Sequence, residues 1–199
     1  MPHTAPVPPD RAKLQMHRER AVPDQAAQFL REGLIAHVGI ADAEGPVVIP
    51  MTYHFDRDTP ATLYLHGAHH SRLMQAVASG ERVCVTVTIA DGLVYSKTAL
   101  NHSVNYRSVV AFCRASAAQP SIEQSRTLLQ AMIARYWDGR AVGVDYAVIP
   151  EKHLETTAMV ALDIEAVSAK QRVGGPNGPG DNDPAVPGTA GVTELRPGY

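Results

Sequence analysis

Apolar and polar residues alternate with a period of two along much of the chain, and this pattern predicts β-strands. It is clearest at 83–89, where valine and isoleucine alternate with Cys84, Thr86 and Thr88. Successive side chains of a strand point to opposite faces, so this strand has one apolar and one mixed face. The same reasoning predicts strands at 34–41, 46–55, 61–66, 93–97, 105–115, 158–166 and, briefly, 192–195.

Three helices are predicted between these strands. The first runs from Pro23 to Gly33, because proline suits a first helical turn and glycine a stop. A second covers 71–79, with Ser71 as N-cap and Gly80 as the stop. The third begins with the capping box at 121–124 and ends near Trp137. Turn residues predict hairpin connections at 42–45 and at Asp91-Gly92.

Mostly sequential strands joined by short turns favour an antiparallel sheet that closes as a small barrel. No alternation of strand and helix of the doubly wound kind is present. We divide the chain into an N-terminal tail at 1–20, a barrel domain at 21–172, and a final segment at 173–199. The last is rich in glycine and proline and ends in a short strand.

Composition narrows the class of protein. The 199 residues carry 18 basic and 20 acidic side chains, a net charge of −2, which argues against binding to a nucleic-acid backbone. No apolar run approaches the ~18 residues of a membrane helix, and the N-terminus has no signal-peptide pattern. Cys84 and Cys113 lie in strand-like runs and are interpreted as buried thiols. We therefore expect a cytoplasmic protein that binds neither nucleic acid nor membrane.

The segment 63–74 holds the clearest candidate chemistry, because a strand ends there and a helix begins with Ser71 and Arg72. The first turn of a helix presents unpaired N–H groups to an anion, and a guanidinium matches phosphate geometry. This predicts a phosphate site at Ser71 and Arg72. The alternative is that Ser71 only caps the helix and Arg72 is solvated, and local pattern alone favours that alternative.

Two weaker patterns remain open. His66, His69 and His70, with His54 nearby, suggest a metal site, but no cysteine or carboxylate stands at matching spacing. The polar run 105–108 leads into an apolar strand and offers donors to both faces of a sheet. Its alternative interpretation is a strand end that reaches water.

Four runs together carry a family resemblance: VVIPMTYHFD, LYLHGAHHSRL, SVNYRSVVAFCRA and TTAMVALDIEAVSAKQR. Over roughly 22–172 the chain resembles the pyridoxamine 5′-phosphate oxidase-like family of FMN-binding split barrels. Within it, the chain is most similar to the flavin-nucleotide-binding group that includes nitroimidazole-resistance reductases. The resemblance implies a mainly β fold with short helices, a six-stranded antiparallel split barrel. It also implies a homodimer with FMN in a cleft between the two protomers.

The resemblance also implies which residues contact FMN. Those beside the ring and ribityl chain are Pro50, Met51, Thr52, His66 and Gly67; those at the phosphate are Ser71 and Arg72; further polar contacts come from Asn105, Arg107, Ser108 and Lys170. One departure from the family is Leu73, where a second basic residue is usual. The oxidase residues that recognise pyridoxal phosphate are also missing, so oxidase activity itself is not expected.

The resulting hypothesis is an FMN-dependent oxidoreductase that transfers a hydride to a small molecule, with NAD(P)H as a candidate reductant. His66 is the candidate catalytic residue, as proton donor or substrate contact, because its ordinary pKa lies near neutrality. Two alternatives stay open: a flavin carrier or sensor without turnover, and a barrel that has lost flavin and serves in assembly or binds haem.

Overall fold

The computed structural model describes residues 11–55 and 61–195. Eight strands lie in these residues: β1 Ala36–Asp42, β2 Gly45–Met51, β3 His54–Phe55, β4 Thr62–Ala68, β5 Arg82–Tyr95, β6 Ser103–Ala115, β7 Thr157–Arg172 and β8 Gly191–Glu194. Four α-helices accompany them: α1 Ala26–Glu32, α2 Arg72–Ala78, α3 Ile122–Tyr136 and α4 Glu151–Thr156. No helix in the described ranges is long and apolar enough to cross a membrane.

All eight strands belong to one antiparallel sheet. Its order is β2-β1-β5-β6-β7-β4-β3, and β8 adds to the end of β5. One buried cluster contains Val38 of β1, Val85 of β5 and Leu65 of β4, so the sheet curls around a single core. The predicted mainly β antiparallel fold is confirmed, but six strands was too few, because β3 and β8 add to the sheet.

The predicted strand at 46–55 is in fact two strands. β2 pairs with β1, whereas β3 pairs with β4 on the far side of the sheet. The chain crosses between them at Tyr53, whose N–H donates to the Tyr136 hydroxyl and whose carbonyl accepts from Arg135. Bonds to helix α3 thus replace strand pairing at this point, and local pattern cannot reveal that. The connection at 56–60 lies outside the described residues.

The predicted turn at Asp91-Gly92 is wrong. β5 continues through it and pairs with β6 on both sides, with a bulge between Ala90 and Gly92. A Cβ on Gly92 would lie 3.1 Å from Val192 Cγ1 and 3.2 Å from the Thr193 carbonyl oxygen of β8. The glycine therefore permits a close approach of strands rather than a reversal of the chain.

The predicted helices are confirmed, each to within a few residues. Ser71 caps α2, and the capping box of Ser121 and Gln124 opens α3. Helix α4 has no counterpart among the sequence predictions. Along the described part of the N-terminal segment, Arg11 lies over the Phe112 ring, 4.8 Å from its centroid, on the outer face of the sheet. Cys113 is buried and Cys84 half-buried, and both are free thiols.

Candidate functional site

Three of the predicted flavin-contacting residues meet at the start of α2. A Cβ built on Gly67, near the end of β4, would lie 3.8 Å from both Met51 Cε and Ser71 Oγ. It would also lie 3.1 Å from Met74 Cε, so a side chain at position 67 would require the Met74 side chain to shift by a few tenths of an ångström. We call Pro50, Met51, Thr52, His66, Gly67, Ser71 and Arg72 the α2 group.

Within the α2 group, the serine and the arginine have partners in the chain. Ser71 Oγ accepts the Met74 N–H at 3.3 Å, as an N-cap does. Arg72 Nε lies 3.3 Å from an Asp42 carboxylate oxygen, and its Nη2 lies 3.4 Å from Glu44. The Arg72 side chain is half exposed, so these surface pairs are weak. The two carboxylates nevertheless partly neutralise the positive charge of Arg72 that would attract a phosphate group.

His66 projects from β4 beside these residues. Its Nδ1 is buried and has no hydrogen-bond partner among the described residues. Burial lowers the pKa of the imidazole from its ordinary value of 6.5, so the ring is neutral at pH 7. Buried polar atoms normally have a hydrogen-bond partner, so this nitrogen is a candidate contact for a bound polar ligand. No three histidine, cysteine or acidic residues within 11–55 and 61–195 are placed to share a metal ion.

The other predicted residues lie where β6 and β7 run together. Arg107 donates through Nε and Nη2 to Asp91, at 2.9 and 2.6 Å, and its Nη1 pairs with Glu32. Asn105 is buried, donates to the Gly174 carbonyl at 3.0 Å and accepts from Arg172. Both side chains are therefore engaged inside the protomer.

Ser108 and Lys170 form a cross-strand pair on the opposite face of the sheet from Asn105 and Arg107. Ser108 Oγ approaches the Lys170 carbonyl at 3.5 Å, and the Lys170 ammonium lies 6.0 Å from the Tyr106 ring centroid. Alternation along β6 thus divides the predicted contacts between an inner and an outer face. We call Asn105, Arg107, Ser108 and Lys170 the β6 group.

Gly67 of the α2 group and Ser108 of the β6 group lie beside opposite ends of β7. Gly67 pairs with Ala158, and Ser108 pairs with Lys170. The twelve residues from 158 to 170 correspond to about 40 Å of strand at ~3.3 Å per residue. This length is measured along a strand that curves around the core, so the direct distance is shorter. Residues 50–52 approach β6 by another route, because Pro50 pairs with His37, His37 with Thr86 and Thr86 with Val110, three strand spacings or about 14 Å.

Sequence reasoning missed two cations, the half-buried Arg135 and the buried Arg172. Arg135 of α3 donates to the carbonyls of Leu30 and Gly33, at 2.8 and 2.7 Å. Arg172 donates to Asn105 and to carbonyls of the loop after β7. Most of their acceptors are main-chain carbonyls, and the Leu30 and Gly33 carbonyls lie about a hundred residues from Arg135 in the chain, so no residue-type motif marks these contacts.

Comparison with known proteins identifies the family. The pyridoxamine 5′-phosphate oxidase family model matches residues 23–171, three quarters of the chain, and the chain belongs to that family. None of the curated proteins matches it.

Solved structures extend the comparison. The flavocytochrome Anf3 from Azotobacter vinelandii is 26% identical, with a TM-score of 0.80, over 98% of this chain and 88% of that one. The FAD and haem binding protein from Mycobacterium smegmatis is 27% identical, with a TM-score of 0.75, over 87% and 82%. A protein of Bacteroides thetaiotaomicron assigned to 5-nitroimidazole antibiotic resistance shares the fold, at 21% identity and a TM-score of 0.57, over 75% and 85%.

Proposed function

We propose that the protein is a flavin-dependent oxidoreductase that works as a homodimer. Each of its two sites would hold the FMN unit, either as free FMN or as the FMN half of FAD. Family membership and the flavin-binding relatives support the cofactor. The free thiols of the described chain are compatible with the reducing cytoplasm expected from the sequence.

The observation that carries the proposal is the α2 group itself, where the buried Nδ1 of His66 has no hydrogen-bond partner among the described residues and lies in the strand that leads to the N-cap Ser71. The family resemblance adds the β6 group, contributed by the partner protomer. A two-fold axis places unlike ends of two identical chains side by side. The α2 group of one protomer and the β6 group of its partner would then line one cleft, and two equivalent clefts would form.

The outer face of the sheet offers a surface for such a dimer. Many of its exposed or half-exposed residues are small or apolar on four adjacent strands, beside the polar His37 and Thr86, and they include Gly39, Ala41, Pro46, Val48, Pro50, Cys84, Val110 and Phe112. Val48 alone is 60% exposed. Pro46 and Pro50 have no N–H, so this edge is a poor template for adding another strand. These features favour face-to-face packing of two copies.

In this arrangement each residue has a limited task. A bound flavin would supply the hydride chemistry at its N5 atom. Ser71 and Arg72 would hold the phosphate, and main-chain groups at 50–52 would lie along the ring. The neutral His66 imidazole would accept or donate one hydrogen bond beside it. The acceptor of the hydride would be a small molecule, and NAD(P)H the reductant.

Subunit complementation tests the shared site. Arg72→Glu damages the α2 group and Lys170→Glu the β6 group, and each homodimer should bind FMN at least tenfold more weakly. After subunit exchange, random pairing makes half of the dimers mixed, and each mixed dimer has one intact cleft. About a quarter of the sites should then regain the affinity of the unaltered protein. If both variants lose FMN binding and the mixed dimers regain none, a site shared between protomers is refuted.

The protein as purified tests the cofactor. Flavin absorption near ~450 nm is expected, and chromatography of the released cofactor distinguishes FMN from FAD. Bleaching by NAD(P)H, followed by reoxidation with a nitro-compound, would support the oxidoreductase over a carrier or sensor. A colourless protein that binds neither flavin would contradict the proposal.

A second candidate function is suggested by the two relatives above 25% identity, since one binds FAD and haem and the other is a flavocytochrome. A cavity of about 550 Å³ lies between α2, α3, α4 and β7. His69 lines it, together with Met74, Leu154 and Met159. An imidazole beside an apolar cavity is a common setting for haem iron.

Haemin titration tests this second candidate. Added haemin should give a sharp Soret band in the unaltered protein. That band should be lost in His69→Ala and kept in His70→Ala, because His70 does not line the cavity. Equal spectra for the two variants would exclude His69 as the ligand.

A further inference from the structure

A cavity of about 580 Å³ lies at the end of the sheet that α1 and β8 flank. Gln25 and Phe29 line it from the α1 side, Arg107 and Gln171 from β6 and β7, and Glu194 from β8. Arg107 and Gln171 are cross-strand partners, so their side chains share one face of the sheet. The cavity is separate from the α2 group of the same protomer.

The arginine in this cavity is unavailable to an anion. All three guanidinium nitrogens of Arg107 are engaged by carboxylates: Nε and Nη2 by Asp91, and Nη1 by Glu32. The Arg107 side chain is 20% exposed. A guanidinium held by two carboxylates in a sheltered position offers neither free charge nor a free pair of donors.

The charges around the cavity sum to a negative value. Asp91, Glu32 and Glu194 contribute three carboxylates, against the guanidinium groups of Arg107 and Arg172. Arg172 is buried behind Asn105, and its donors go to Asn105 and to the carbonyls of the following loop. The net charge of these described residues is therefore −1, which disfavours a phosphate ester or a carboxylate.

Neutral hydrogen-bonding groups remain open in the cavity. The side chains of Gln25 and Gln171 make no hydrogen bond to another described residue. A carboxamide offers both a donor and an acceptor, so it matches a ligand that carries both on one edge. Val173 and Val192 add apolar wall, which suits a flat ring. Few precise polar groups on a partly apolar wall are typical of small-molecule sites.

We propose that this cavity binds a small planar molecule that is uncharged or cationic and carries a carboxamide-like edge, and that it rejects phosphate esters and carboxylates. Binding of this ligand does not depend on the proposed function. Its identification as the substrate does, because that requires the partner's flavin to lie beside the β6 group. The class of substrate would then differ from the phosphate ester after which the family is named.

Three probes of nearly equal size test the charge preference: nicotinamide, nicotinate and 1-methylnicotinamide. In calorimetric or NMR titrations of the full-length protein, the neutral and cationic probes should bind at least tenfold more tightly than nicotinate. Their NMR shifts should fall on the side-chain amides of Gln25 and Gln171. Equal or tighter binding of nicotinate, no binding of any probe, or binding elsewhere on the protein would overturn the proposal.

Charge variants sharpen the test. Glu32→Gln frees one edge of Arg107 and should tighten nicotinate binding about fivefold, and Glu194→Gln should do so about threefold. Glu81→Gln, in the turn between α2 and β5, is the matched control and should change nothing. Unchanged nicotinate affinity in both cavity variants would contradict the electrostatic argument. The titrations use no flavin, so a negative result would refute the ligand proposal without refuting the flavin site. Loss of flavin binding would likewise not refute ligand binding in this cavity.

Discussion

The guanidinium carbon of Arg135 lies 4.2 Å from the ring centroid of Tyr53, and both side chains donate to the same two carbonyl oxygens. The Tyr53 hydroxyl reaches Leu30 and Gly33 at 2.7 and 3.0 Å, and Arg135 Nη2 reaches them at 2.8 and 2.7 Å. This pair joins the end of α1, the crossing between β2 and β3, and helix α3. It holds in place the segment that leads from residues 50–52 into the core.

Loss of the Arg135 guanidinium should destabilise the fold. Arg135→Met removes one of the two donors from each of the Leu30, Gly33 and Tyr53 carbonyls, and we expect the free energy of unfolding to fall by about 3 kcal/mol. Urea denaturation measures this. Arg140→Met is the control, because Arg140 donates to Asp145 in an exposed loop, and a loss below about 0.5 kcal/mol is expected for a surface change. Similar losses for the two variants would remove the role assigned to Arg135.

Tyr53 should make stability depend on alkaline pH. Burial raises its pKa from 10.0 to about 12. Between these values the folded chain holds a proton that the unfolded chain has lost, so stability falls as the pH rises from 10 to 12. In Tyr53→Phe that component should vanish, with a constant loss of about 1 to 2 kcal/mol from the missing hydroxyl bonds. The exposed Tyr95→Phe should keep the slope seen in the unaltered protein.

His66 should make stability depend on acidic pH. Burial lowers its pKa below 6.5, so the unfolded chain binds a proton more readily than the folded chain. Stability should therefore fall as the pH drops below about 6.5, until the folded imidazole also protonates. Thermal unfolding from pH 5 to 8 measures this. His66→Gln should flatten the profile and the exposed His153→Gln should not; identical profiles for both would show that another group titrates.

The affinity for FMN should depend on Arg72 and on the carboxylates that pair with it. Arg72→Ala should weaken FMN binding by about 1.5 to 3 kcal/mol, the range for a charge-assisted hydrogen bond. Because Asp42 and Glu44 compete for the guanidinium, Glu44→Gln should tighten binding severalfold. Calorimetric titration measures both effects, with Glu81→Gln as the control. An affinity that none of these changes alters would move the phosphate away from Arg72.

Asp181 should anchor the loop between β7 and β8. Its carboxylate accepts from Ser96 Oγ, Lys97 N–H and Gly178 N–H, at 2.8, 2.8 and 2.6 Å. Desolvation alone would raise the pKa of the carboxyl group, but these bonds together lower it. Asp181→Ala should raise hydrogen exchange at 173–190 at least tenfold, with little change elsewhere. Asp183→Asn, in the same loop, should not; exchange that stays slow in Asp181→Ala would show that other contacts hold the loop.

Local pattern was sufficient to predict most of the secondary structure. Alternation at 83–89, the cap at Ser71 and the capping box at 121–124 predict elements that the fold contains, because these signals act within a few residues. The errors fall where distant contacts decide the conformation. Tyr53 leaves the strand because Arg135 and Tyr136 bind its main chain, and Gly92 continues a strand because β8 packs against it.

The chemistry of the candidate site divides in the same way. Residue order identified the segments at 50–52, 66–72 and 105–108, and the resemblance carried by those segments led to the family that the comparison confirms. Tertiary structure alone decides which of these side chains are still available to a ligand. Ion pairs depend on charges brought together from distant strands, so only the folded chain shows that Arg107 is held by Asp91 and Glu32 while the Nδ1 of His66 has no partner in the described chain.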